Sequence, residues 1–149
     1  MSDLTLQELS KKIADIDFTM LTTRTEDDQI AGRPMSNNGD VEFDGDSCFF
    51  AWATSRVAKD IAREPKAALM LQGKAGLLGK PPLMISMQGD AELIRDKAQF
   101  AAHWQKELDR WFTEGVDTPG VVMIKFHARR IHYWDGEDEG EFLVNGQQS

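Results

Sequence analysis

Turn residues punctuate this chain at short intervals, and that spacing limits its fold more than any other feature. Turn signals stand at Thr25-Glu26-Asp27-Asp28, Asn38-Gly39 and Asp44-Gly45-Asp46, with longer loops over residues 73–82 and 114–120. Between them lie runs rich in β-branched, aromatic and aliphatic residues: 18–23 (FTMLTT), 30–37 (IAGRPMSN), 48–52 (CFFAW), 67–71 (AALML), 83–94 (LMISMQGDAELI), 121–126 (VVMIKF) and 128–134 (ARRIHYW). Runs of this kind favour strands. A short strand is also expected over 41–43, following the Asn-Gly pair, a strong hairpin signal. Pro34 has no N–H for a ladder and marks an edge or bend. Gly89 reads as a bulge.

Helices are few. Thr5 and Glu8 have capping-box spacing, and Leu6, Leu9, Ile13 and Ile16 recur at helical period, so a first helix spans about 5–16. Thr54 and Ser55 can open a short helix that Pro65 closes. Asp96 and Gln99 suggest a second capping box, after which Phe100, Trp104, Leu108 and Trp111 share one helical face. The last strand pair is read as 121–126 with 128–134, and the acidic segment from about 135 to 149 as a mobile tail. The expectation is a single domain over 1–149: a mainly β, α+β antiparallel sheet closing into a small barrel with peripheral helices.

Composition excludes several classes. A net charge of -8 argues against a nucleic-acid partner. One cysteine permits no internal disulfide and fits a cytoplasmic location. The opening MSDLTLQELSKK lacks the apolar core of a signal peptide, and no apolar run reaches the ~20 residues that span a bilayer, so no membrane partner is expected. There is no G-x-G-x-x-G, no Walker loop and no G-x-S-x-G elbow, and the three histidines and Cys48 show no metal-ligand spacing. The catalytic residue is therefore unknown, and an organic cofactor is the expected source of any chemistry.

The segment 48–65 (CFFAWATSRVAKDIAREP) carries the most specific signal. An aromatic strand runs into two hydroxyls and then Arg56, Lys59 and Arg63. Ser55 and Lys59, four apart, fall on one helical face. A helix start with free N–H groups, hydroxyls and cations suits a phosphate. The same residues would also make an ordinary N-cap with a solvated basic face.

Arg33-Pro34-Met35, the aromatic-strand-to-TSR segment and Tyr133-Trp134-Asp135-Gly136, in that order and spacing, resemble the pyridoxamine 5′-phosphate oxidase-like family of FMN-binding split β-barrels, and within it the bacterial general stress protein branch. The resemblance runs from the first helix to Trp134. It implies a homodimer with FMN, or alternatively FAD, at the subunit interface. Arg33 would reach the flavin phosphate or ribityl, with Pro34 and Met35 against the ring edge. Phe50, Ala51, Trp52, Thr54 and Ser55 would supply further ring and phosphate contacts, Arg56 and Lys59 the phosphate cations. Trp134 would approach from the other subunit.

Two departures carry information. The family places a lysine eight residues before the proline that closes this helix; here Val57 stands there and Lys59 follows two later. The family's vitamin oxidases carry an arginine–histidine pair after the final tryptophan; here DGEDEGEF follows Trp134, which argues against that activity. The resemblance thus implies a flavin-binding general stress protein acting as a flavin-dependent oxidoreductase with NADH or NADPH as reductant. The alternatives are a non-catalytic flavin carrier or sensor and a haem-binding relative on the same barrel.

Overall fold

A computed structural model of the chain describes residues 4–37 and 43–144. The expected Asn38-Gly39 turn and most of the expected strand at 41–43 lie outside the described residues. One antiparallel sheet contains β1 (Phe18–Arg24), β2 (Ile30–Ser36), β3 (Asp46–Trp52), β4 (Lys66–Gln72), β5 (Met84–Ile94), β6 (Val121–Asp135) and β7 (Asp138–Leu143). Its order is β2-β1-β4-β5-β6-β3, with β7 also on β6. The sheet curls into a split barrel, attended by helices α1 (Leu6–Ile13), α2 (Arg56–Arg63) and α3 (Lys97–His103). This is the fold class the turn spacing implies. Among the described residues, no helix is long and apolar enough to cross a membrane.

Local signals account for most elements. Thr5 and Glu8 close the capping box at both bonds, each 3.1 Å, and α1 buries Leu9 and Ile13. Along β1, Thr19, Leu21 and Thr23 point inward while Phe18 and Met20 face out, the period-2 pattern of a strand with one covered face. Leu21, Leu69, Ile85, Met87, Phe126 and Ile131 fill the main core. The β5–β6 ladder slips between Gln88 and Gly89. A Cβ on Gly89 would lie 2.0 Å from the His127 carbonyl oxygen, so only glycine admits this approach of the two backbones.

Three expectations are corrected. Residues 121–126 and 128–134 form one strand, β6, because no turn residue separates them. The middle of β6 is held from both sides, with His127 Nδ1 at 2.8 Å from Asp46 on β3 and Nε2 at 2.6 Å from Glu92 on β5. Much of the acidic tail is the strand β7, returned by a turn in which Gly136 takes φ 68°. Backbone pairing to β6 outweighs the low apolar content that reads as a tail. The aromatic helix also stops at His103, and residues 106–110 form a 3₁₀ turn. The break admits Phe112 to the core instead of Trp111: Phe112 is buried, while Trp111 is 66% exposed.

Candidate functional site

The site is organised by the turn between β3 and α2. Ser55 caps α2, its Oγ accepting from the Ala58 N–H at 3.3 Å. Because β3 enters the turn as an apolar strand and α2 leaves it as a basic helix, consecutive residues face different surroundings. Ser55 lines an apolar cleft of about 480 Å³, whereas Thr54 and Arg56 line a polar pocket of about 500 Å³.

Pro34, Met35, Phe50, Ala51 and Trp52 join Ser55 in the apolar cleft. The opposite wall comes from the end of α3 and the segment after it: His103, Gln105, Leu108, Trp111 and Phe112. Edge-on aromatic packing supports that wall. Phe50 lies 5.5 Å from Phe100 and 4.7 Å from Trp104 between ring centroids, and Trp52 lies 4.8 Å from Phe112. Trp104 serves the packing, and its indole N–H donates to Asp109 at 2.9 Å.

Lys59 and Arg63 join Thr54 and Arg56 in the polar pocket, faced by Glu26 and Asp27 from the β1–β2 turn. Asp27 is held below the usual carboxylate range, first by a hydrogen bond from Thr25, with Arg56 and Arg63 adding to the effect. Where the resemblance implies a lysine, Val57 is buried in the core, while Lys59 is exposed to the pocket.

Arg33 lines neither space. Its Nη1 donates to the Leu21 carbonyl at 3.2 Å and to Thr23 Oγ1 at 2.8 Å, and its Nη2 lies 3.6 Å from Asp60. Thr23 Oγ1 in turn donates to Asp60 at 2.8 Å, and Arg63 reaches the other carboxylate oxygen at 3.2 Å. Asp60 is only 3% exposed, so Arg33, Thr23 and Arg63 together compensate a buried charge. Burial draws the Arg33 guanidinium below its ordinary value, and Asp60 opposes the change. Sequence reasoning passed over Asp60 and Thr23, whose one available signal was a carboxylate within an otherwise basic helix.

Trp134 also lies outside both spaces. On β6 it faces Met84 and Glu139, and its ring stacks on His132 at 4.0 Å and 12°. Cys48 borders the cleft, but burial pushes its thiol up to about 11, helped by Asp46, Asp44 and Glu92 and opposed by Lys125. A thiol raised in this way stays protonated near neutral pH.

Residues 5–147 match the model of a family described as pyridoxamine 5'-phosphate oxidase like. The chain belongs to that family. No curated protein sequence matches the chain. Among solved structures, general stress protein 26 from Bacillus anthracis str. Sterne superposes with a TM-score of 0.75 at 19% identity, over 93% of this chain and 98% of that one. A protein related to general stress protein 26, of the pyridoxinephosphate oxidase family, from Clostridium acetobutylicum gives 0.75 at 17% identity, over 94% of each chain. A heme binding protein from Mycobacterium smegmatis gives 0.73 at 16% identity, over 97% of this chain and 60% of that one. At these identities the neighbours share the split barrel.

Proposed function

We propose that this family member is a flavin-binding protein of the general stress type. It holds FMN, with FAD as the alternative, at the seam of a homodimer and serves as a flavin-dependent oxidoreductase. One observation carries the reading: at the Thr54-Ser55-Arg56 turn, an uncharged aromatic cleft meets a polar pocket in which Arg56, Lys59 and Arg63 stand with Glu26, Asp27 and Asp60. A flat apolar ring with a phosphate tail needs those two surroundings side by side. Trp52, Phe50 and Pro34 offer flat apolar contact to the ring, and Arg56 and Lys59 offer the phosphate cations beside the start of α2. The bound flavin would supply the redox chemistry, with NADH or NADPH as electron donor. The chain's own part is to orient the ring and keep water from it.

The outward face of the sheet supports a second copy. Met20 lies beside Met70, and Met84 beside Trp134, and all four are at least 38% exposed along with Phe18 at 63%. An exposed apolar face of this kind is normally covered by a partner, here a second copy of the chain.

Absorption of the purified protein tests the reading. A flavin spectrum, and bleaching by NADH or NADPH under anaerobic conditions followed by turnover with an acceptor, are the expected results. Stable flavin without turnover would instead make the protein a carrier or sensor. His103 in the cleft wall gives the haem alternative a ligand within reach, and a Soret band in place of flavin absorption would establish it.

A further inference from the structure

The flavin contacts proposed above lie on the β3 side of the cleft, and the chemistry of the opposite wall is distinctive. In a chain with 28% charged residues, no lysine, arginine, aspartate or glutamate is among the described residues that line the cleft. Its polar groups are hydroxyls, the Gln105 amide, the Cys48 thiol and the His103 imidazole. Trp111 stands at this wall with 66% of its surface exposed, whereas the neighbouring Phe112 is packed at 4%. Arg110 lies 5.9 Å from the centre of the Trp111 ring and is not part of the cleft lining.

We infer that this wall receives a second ligand, an uncharged planar aromatic molecule, and that Trp111 is the residue that stacks on it. The inference rests on the flavin reading for the role of the β3 wall. An anionic ligand would leave water for an apolar space whose lining carries no counter-charge, which is costly, and Arg110, over the Trp111 ring, stands outside that lining. A flat neutral ligand loses little hydration and gains the face of an indole already positioned at the cleft. The cations gathered in the neighbouring pocket serve a phosphate there and do not face this wall. Phosphorylated vitamin substrates are therefore disfavoured on this side of the ring.

The test uses the full-length protein as purified, with 1,4-naphthoquinone as the neutral planar probe and its 2-sulfonate as the anionic one. Binding is followed by quenching of tryptophan fluorescence and, when flavin is present, by the shift of its absorption band. The neutral probe is expected to bind about tenfold tighter than the sulfonate, and Trp111→Ala to remove about that factor, the size of one aromatic contact. Trp111→Phe should restore most of it. Trp111 is exposed, so both variants should retain the wild-type melting temperature, which separates lost stacking from lost folding. Equal affinity for the two probes, or affinity unchanged by Trp111→Ala, overturns the inference. A flavin-free preparation that still prefers the neutral probe through Trp111 would uphold this inference while refuting the flavin reading. A flavin-loaded protein with no preference would do the reverse.

Discussion

The two spaces that meet at Ser55 are built by opposite means. The apolar cleft is walled by side chains whose positions are set by packing: Phe50 meets Phe100 and Trp104, and Trp52 meets Phe112, at ring-centroid distances of about 5 Å, and these contacts give without unpairing any charge. The polar pocket stands on α2, which packs Val57 and Ile61 into the core and whose one buried carboxylate, Asp60, is held by Thr23 and Arg33 of the sheet and by Arg63 of the helix itself. Packing tolerates graded change, whereas a buried charge that loses its partners does not. The phosphate side should therefore be the brittle half of the site and the ring side the adjustable one.

The sharpest way to break this contrast is at Asp60. Asp60→Ala leaves the buried Thr23 hydroxyl and the half-buried Arg33 guanidinium without their carboxylate partner, and a loss of about 3–5 kcal/mol in urea unfolding is expected. A loss under about 1 kcal/mol would show that α2 is held by packing like the other side. On the ring side, Phe112→Ala should cost about 3 kcal/mol, the low end for a buried phenylalanine, because the exposed edge of the cleft can relax into the space. If it costs more than Asp60→Ala, the contrast is reversed.

Ligand binding sharpens it further. Arg56→Ala should weaken FMN about tenfold and leave riboflavin unchanged by isothermal titration, since a charge-assisted hydrogen bond contributes about 1.5–3 kcal/mol. Arg33→Ala should weaken FMN and riboflavin by similar factors and lower stability, because its guanidinium is committed to Leu21, Thr23 and Asp60. A selective loss of FMN in Arg33→Ala would return that arginine to the phosphate.

The smallest effect concerns pH, at a clamp away from both spaces. Burial alone would lower the His127 value, but hydrogen bonds to Glu92 and Asp46 and their charges raise it above 6.5 on balance. A raised folded value means that the clamp stabilises fully below about pH 6.5 and that this contribution is lost as pH rises through the folded value. Stability measured from pH 6 to pH 9 should show a shallow decline that His127→Gln abolishes. An identical decline in the variant would remove His127 as its source.

Much of the barrel was legible before any coordinates. β1, β2, β4 and β5 begin and end within a residue or two of their apolar runs, and the Thr5–Glu8 box opens α1 as its spacing implies. Ser55 was readable as a cap because Thr54-Ser55 precede a basic helix closed by Pro65. The errors share a cause. Local pattern divides Val121–Asp135, reads Asp138–Leu143 as tail and extends the helix over Phe100 to Trp111. In each case a partner distant in sequence, whether Asp46 and Glu92, the β6 edge or Phe50, decided the outcome.

The sequence alone determined that this chain forms an antiparallel sheet with a hydroxyl-bearing, basic turn after an aromatic strand. Strand period, turn chemistry and capping act over a few residues, so they can be read from neighbours along the chain. Only the tertiary structure decided that Arg33 turns inward to a buried Asp60 and that Trp111 lines the cleft while Trp104 packs beneath it. Those outcomes depend on which charges must be compensated and which rings fit together once distant segments meet, and local pattern does not encode them.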